Sequence, residues 1–154
     1  MIVEGEAAPD FELERDGGGT VSLAALRGRP VVLYFYPRDD TPGCTTQACG
    51  IRDAWTEFEA AGAVVLGVSP DTAAKHDKFK AKHGLPFTLL ADPEHRVSEL
   101  YGVWGEKKFR GRTYLGVERS TFVLDGAGVV RKIMRRVKPA THADDVLAAL
   151  RALS

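Results

Sequence analysis

Cys44 and Cys49 are the only thiols in the chain, and they lie five residues apart. A cysteine acts as a nucleophile or a metal ligand in its thiolate form. The spacing fits neither a CxxC redox pair nor a four-ligand zinc site. His76, His83, His95 and His142 are scattered along the chain and do not complete a metal site. Arg119 is the cation whose surroundings most invite chemistry, because Ser120, Thr121, Phe122, Val123 and Leu124 follow it in a strand-like run. A charge inside such a run needs a partner, and the guanidinium fork suits an anionic one.

The elements around Cys44 decide what its sulfur can do. Pro30 to Tyr36 is a continuous apolar run rich in β-branched and aromatic residues, which predicts a strand buried on both faces. Pro37 stops it. Thr41 is a good N-cap and Pro42 a good first helical residue, so a helix is expected from Pro42 to about Ala61, ended by Gly62. Cys44 then falls in the first turn, where unpaired N–H groups and the positive dipole end favour an anion. Arg38 adds positive charge. Asp39 and Asp40 oppose it unless their side chains turn away. An inert buried cysteine is the plainer reading; the capped helix start after a buried strand favours a reactive one.

Helical geometry places the second sulfur. Ala48, Ile51, Trp55 and Phe58 fall within about 40° of Cys44 at 100° per residue, so Cys44 belongs to the core-facing stripe. Cys49 lies ~140° round the axis and ~7.5 Å along it, which separates the Cα atoms by ~8.6 Å. A disulfide needs roughly 4.4–6.8 Å. The two cysteines cannot bond while the helix is intact; bonding requires its first turns to unwind.

The remaining elements define a scaffold. Phe11–Leu13 and Val21–Leu23 alternate like strands about the glycine turn 17–19 and predict an N-terminal hairpin. Ala63–Val68 and Phe87–Leu90 read as strands. Asp71 is expected to cap a helix to His83, and Asp92 with Pro93 to open another that ends near Gly102. Gly105–Gly116 reads as a loop or irregular hairpin. Strands follow at Glu118–Leu124 and Val129–Val137. Thr141 with Asp144 suggests a capping box for a final helix to Leu153. Strands alternating with helices, closed by an antiparallel pair, predict an α/β domain with a central mixed β-sheet flanked by helices. The arrangement resembles the thioredoxin-like fold with an N-terminal β-hairpin extension. One domain is expected over residues 1–154.

Composition excludes several functions. Lys+Arg and Asp+Glu number 21 each, so the formal net charge is zero and a nucleic-acid reader is not expected. The basic residues Arg131, Lys132, Arg135, Arg136 and Lys138 are interrupted by Ile133, Met134 and Val137, as on a solvated edge strand. His76 and His83 share a helix face and read as surface residues. Trp55 and Phe58 read as core. Trp104 and Phe109 could wall a substrate pocket. No membrane-length apolar run is present, and Met1 to Asp10 carries acids without a basic n-region, so a cytoplasmic protein is expected.

The segment PRDDTPGCTTQAC, residues 37–49, resembles the active-site loop of peroxiredoxins, whose pattern is Pro, three residues, Thr, two residues, Cys. A second cysteine five residues on is similar to the bacterioferritin comigratory protein/peroxiredoxin Q branch. The likeness extends to AAPDFEL (7–13), LPFTLLAD (85–92), YGVWGEKK (101–108) and ERSTFVLD (118–125). The resemblance implies a thiol-dependent peroxidase that reduces hydrogen peroxide and alkyl hydroperoxides. Cys44 would be the peroxidatic cysteine and Cys49 the resolving cysteine of an intramolecular disulfide. Thr41 would hydrogen-bond the attacked peroxide oxygens and the thiolate, Pro37 would shield the site and set the loop, and Arg119 would stabilise the thiolate and the polarised peroxide. Thioredoxin or glutaredoxin would supply electrons; no metal, haem or flavin would be needed, and a monomer is expected. Gln47 stands where an acid is common, and Asp40 where an uncharged residue is common. The other readings are a disulfide reductase, which the missing CxxC disfavours, and a non-catalytic redox sensor or holdase-type binding module.

Overall fold

The computed structural model describes residues 2–153; Met1 and Ser154, the ends of the expected domain, lie outside the described residues. In chain order the strands are β1 (Glu12–Arg15), β2 (Thr20–Ser22), β3 (Val31–Phe35), β4 (Val64–Ser69), β5 (Thr88–Ala91), β6 (Trp104–Phe109), β7 (Arg112–Val117), β8 (Ser120–Leu124) and β9 (Val130–Met134). The helices are α1 (Pro42–Asp53), α2 (Trp55–Ala60), α3 (Ala73–His83), α4 (Arg96–Leu100) and α5 (His142–Arg151). Among the described residues, seven strands form one sheet in the order β2-β1-β5-β4-β3-β8-β9, and β6 and β7 form a separate two-stranded sheet. β3, β4 and β5 run parallel; β8, β9 and the β1–β2 hairpin run antiparallel to their neighbours. The mixed sheet and the N-terminal hairpin are those the sequence predicted.

β3 is central and all five of its residues are buried. Its side chains alternate between two cores. Val31, Leu33 and Phe35 pack with Val97 and Tyr101 beside α4 on one face. Val32 and Tyr34 pack with Cys44, Ala48 and Ile51 of α1, Phe58 of α2, Phe79 of α3 and Val146, Leu147 and Leu150 of α5 on the other. Pairing sets β8 beside β3 with Tyr34 opposite Thr121, so both lie under α1 and α5. Arg119 lies two residues before Thr121, in the short link from β7 into β8.

Local chemistry moved several boundaries. The helix expected to Ala61 breaks at Ala54, whose N–H divides between the carbonyls of Gly50 and Ile51. Trp55 is only partly buried but still packs against the core that holds Cys44, stacking on Phe58 at 6.1 Å. Thr72, not Asp71, caps α3, accepting from the Lys75 N–H at 3.3 Å; Asp71 turns inward to Ser69. α4 begins at Arg96 rather than after Asp92, although the Asp92 carboxylate reaches forward to the N–H groups of Val97 and Ser98. The capping box with Asp144 does not form; the Thr141 hydroxyl donates to Asp145. The segment expected as a loop or irregular hairpin is a regular antiparallel pair, β6–β7. Most of its side chains are exposed, so it carries no alternation to announce a strand. β9 is an edge strand and ends at Met134, and its charges Arg131 and Lys132 are exposed, as expected of a solvated edge.

Candidate active site

The turn from β3 into α1 begins where Pro37, lacking an N–H, leaves the ladder after Tyr36 donates to Val68. The chain then reverses through Asp40, a non-glycine residue at φ 60°. Two anchors hold the reversal. Asp40 is exposed and bonds Lys82 at 2.8 Å, which together with His83 lowers its pKa. Asp39 is buried: its N–H donates to Asp71 at 2.7 Å, and its carboxylate accepts from the Tyr36 hydroxyl at 2.5 Å and from His76 Nδ1 at 2.6 Å. Neither carboxylate is left as a free charge beside α1.

His76 corrects the surface reading. It is fully buried, and its Nε2 contacts the Leu90 carbonyl at 2.9 Å. Both ring nitrogens therefore face acceptor oxygens, which calls for the imidazolium. Burial opposes that charge, but the hydrogen bond and charge of Asp39 outweigh it, and the pKa rises above 6.5. Asp39, Asp71 and His76 lie close enough to hold a cation, yet their polar atoms are engaged with one another and with Tyr36 and Ser69.

α1 starts with Thr41 in an extended conformation and Pro42 in the first turn. Thr41 sits at the cap position, and its carbonyl accepts from Thr45 N–H. Its hydroxyl makes neither a cap bond nor the expected bond to the Cys44 sulfur, because its single proton is donated to the Arg38 carbonyl at 2.9 Å. Cys44, Gln47, Ala48 and Ile51 form the buried face of the helix. Cys49 lies off that face, half-buried, and both cysteines are free thiols. α1 is continuous through both, so the ~8.6 Å separation of an ideal helix applies.

Arg119 does not lie inside a strand, as the sequence suggests, but in the two-residue link between β7 and β8. Its backbone carbonyl accepts from Val137 N–H at 3.0 Å. Its Nη1 approaches Cys44 Sγ at 3.2 Å and donates to Gln47 Oε1 at 2.7 Å. Gly43 lines the other side of the guanidinium: a Cβ there would lie 3.0 Å from Nη2. The amide of Gln47 in turn meets His142 Nδ1 at 3.2 Å, and His142 Nε2 meets the Thr121 hydroxyl at 2.7 Å. Lys107 donates to the Val117 carbonyl at 2.9 Å; burial and then the Arg119 charge lower its pKa. Trp104 stacks flat on His95 at 3.9 Å, while Phe109 is 62% exposed.

The structure thus brings Cys44 and Arg119 into contact and keeps Cys49 on the same helix but off its buried face. Pro37 and Thr41 shape the turn that feeds α1. The sequence alone does not single out His142, one of four scattered histidines. A signal existed: His142 shares a helical stripe with Val146 and Leu150, both buried. A polar side chain on that stripe needs an internal partner.

A family model described as AhpC/TSA matches residues 4–133. The chain belongs to the AhpC/TSA family of peroxiredoxins. Peroxiredoxin Bcp of Bacillus subtilis is 50% identical over 155 residues, spanning 100% of this chain and 99% of the relative. Peroxiredoxin Bcp of Escherichia coli is 46% identical over 143 residues, 93% of this chain and 92% of the relative. Among solved structures, the bacterioferritin comigratory protein of Xanthomonas campestris, studied for its alkyl peroxide reduction activity, superposes with a TM-score of 0.91 at 42% identity, covering 98% of this chain and 99% of that one. Peroxidoxin BcpB of Mycobacterium tuberculosis gives 0.88 at 35% identity, covering 100% and 99%. The relatives place this peroxiredoxin in the Bcp/peroxiredoxin Q branch, with the thioredoxin-like fold and a peroxidase activity that draws on a thiol reductant. No helix among the described residues is long and apolar enough to cross a membrane.

Proposed function

We propose that this peroxiredoxin reduces hydrogen peroxide and alkyl hydroperoxides through Cys44 and resolves the product through Cys49. The observation that carries the reading is the 3.2 Å contact between Arg119 Nη1 and Cys44 Sγ in the first turn of α1. The helix terminus and the guanidinium both stabilise negative charge on the sulfur and on the oxygen that departs from it.

The thiolate of Cys44 attacks the terminal peroxide oxygen. The O–O bond breaks, its electron pair leaves on the second oxygen, and that oxygen takes up a proton to depart as water or alcohol. Cys44 is oxidised to a sulfenic acid. Thr41 spends its hydroxyl proton on the Arg38 carbonyl, which leaves its oxygen lone pairs to accept from the peroxide O–H. Pro37 fixes the chain that positions Thr41. The first turns of α1 then unwind, Cys49 attacks the Cys44 sulfur, an S–S bond forms and water is lost. A dithiol protein such as thioredoxin or glutaredoxin reduces this disulfide by exchange, restoring both thiols. A reducing, cytoplasmic setting and a monomer that unwinds on its own suit this cycle.

The test is a pair of substitutions. Cys44→Ser is expected to abolish peroxide consumption; persistent turnover rejects the assignment. Cys49→Ser is expected to allow one oxidation of Cys44 and to impair recycling by thioredoxin; undiminished recycling removes Cys49 from the cycle.

A further inference from the structure

We propose that His142 is a positioning residue for peroxide reduction: as a neutral imidazole it orients the Gln47 amide, and the amide orients Arg119 against Cys44. The inference rests on the peroxidase reading above.

A chain of hydrogen bonds runs from Arg119 to Thr121, and each link dictates the next. Arg119 Nη1 is a donor, so the Gln47 atom 2.7 Å away must be the carbonyl oxygen Oε1. The amide NH2 then faces His142 Nδ1 at 3.2 Å. An NH2 group only donates, so Nδ1 must carry a lone pair. The ring proton therefore sits on Nε2 and is donated to the Thr121 hydroxyl at 2.7 Å. Turning the amide over would aim its NH2 at the guanidinium and its oxygen at the Nδ1 lone pair, losing both bonds. Protonating the ring would set an N–H against the NH2 and break the same link.

The surroundings enforce this state. His142, Gln47 and Thr121 are all fully buried. The charged group facing the ring is Arg119, and the aromatic one is Tyr34, 5.5 Å between ring centroids. Burial, followed by the Arg119 charge, pushes the His142 pKa down to about 3. His142 opens α5, so the final helix, remote in sequence from Cys44, fixes the cation beside it. Without the Gln47 carbonyl, Nη1 would keep only the sulfur as a partner and the guanidinium could swing away.

The proposal predicts different outcomes for two substitutions. His142→Asn retains an acceptor oxygen near the place of Nδ1; His142→Leu fills the space without one. In stopped-flow oxidation by hydrogen peroxide, the Leu variant is expected to lose about tenfold in the second-order rate constant of Cys44, as for one lost hydrogen bond. The Asn variant is expected to recover most of that loss. In the wild-type protein, nitrogen NMR at pH 5 is expected to show His142 as the neutral Nε2–H form. Oxidation of a folded Leu variant at the wild-type rate overturns the proposal, as does an imidazolium or an Nδ1–H form at pH 5. The NMR readout stands even where the Leu variant does not fold. A wild-type protein that consumes no peroxide sinks the peroxidase reading instead, while the NMR still judges the ring.

Discussion

Arg119 Nη1 divides itself between Cys44 Sγ at 3.2 Å and Gln47 Oε1 at 2.7 Å. One group thus joins the Cys44 sulfur to the helix that carries it, across 75 residues of sequence. The geometry makes the guanidinium both an electrostatic partner of the sulfur and a clamp on the first two turns of α1. Five outcomes follow from this arrangement and from the groups around it.

Arg119→Gln keeps a donor but removes the charge and the fork. The rate of Cys44 oxidation by hydrogen peroxide is expected to fall about 10²-fold, since the cation that faces the developing negative charge is gone and a neutral, shorter donor stands in its place. Stopped-flow measurement checks this; a loss of less than threefold would show that the helix terminus alone sustains the chemistry.

Gly43→Ala tests position rather than charge. The new Cβ would sit 3.0 Å from Arg119 Nη2, with Pro139 3.6 Å away limiting retreat. Gly43 is in the first turn of α1, where alanine suits the backbone, so the fold should survive. If Arg119 has the proposed role, peroxide oxidation is expected to slow by roughly tenfold or more, since small misplacements of a group beside the reacting atom are costly. An unchanged rate would mean that the guanidinium adjusts without consequence.

The two buried histidines give opposite pH dependences. His76 has a folded pKa above 6.5, so its stabilisation is complete below pH 6.5 and is lost as pH rises through the raised value. His142 has a folded pKa of about 3, so its stabilisation is present above pH 6.5 and is lost as pH falls from there towards 3. Each contributes a slope of up to about 1.4 kcal/mol per pH unit in its own window. Denaturant unfolding across pH 4–9 is expected to show His76→Gln flattening the alkaline side and His142→Asn the acid side. The reverse assignment, or no change, would contradict the bonding described.

Tyr34 carries the one buried side-chain polar atom without a hydrogen-bond partner among the described residues. Its ring packs in the core with Cys44, Ala48 and Ile51 beneath α1. Burial first, then the nearby Cys44 and Asp39, raise its pKa. Tyr34→Phe removes a hydroxyl that costs about 1–3 kcal/mol when buried unsatisfied. The variant is expected to unfold at higher denaturant concentration by about 1 kcal/mol of stability. A less stable variant would show that the hydroxyl is satisfied.

Much of this was legible in the sequence because the signals were local. The apolar run at Pro30–Tyr36, the Thr41-Pro42 helix start and the spacing of Ala48 and Ile51 from Cys44 set the sulfur on a core-facing first turn, although the Thr41 hydroxyl does not make the cap bond its residue type suggests. Arg119 could be suspected from its surroundings and was recovered at the sulfur. Non-local bonds were not legible. His76 looked like a surface residue because its partner, Asp39, lies 37 residues away. His142 was set aside because its partners sit on α1 and β8, which only the sheet order brings together. Asp71 and Asp92 resembled caps because carboxylates favour helix starts, whereas tertiary bonding drew the first inward to Ser69 and let the second reach across an extra turn. The β6–β7 pair escaped because strand patterning reports a buried face, and this hairpin largely lacks one.

The central claim is that Cys44 is the atom that meets the peroxide and that Cys49 reaches it only after α1 opens. Stopped-flow oxidation of the reduced protein, quenched at intervals and mapped by mass spectrometry, tests both parts together. The account predicts a sulfenic acid on Cys44 first and a Cys44–Cys49 disulfide second, the second step slowing when α1 is stabilised. Oxidation appearing first on Cys49, or a disulfide forming with α1 still protected from hydrogen exchange, would contradict it.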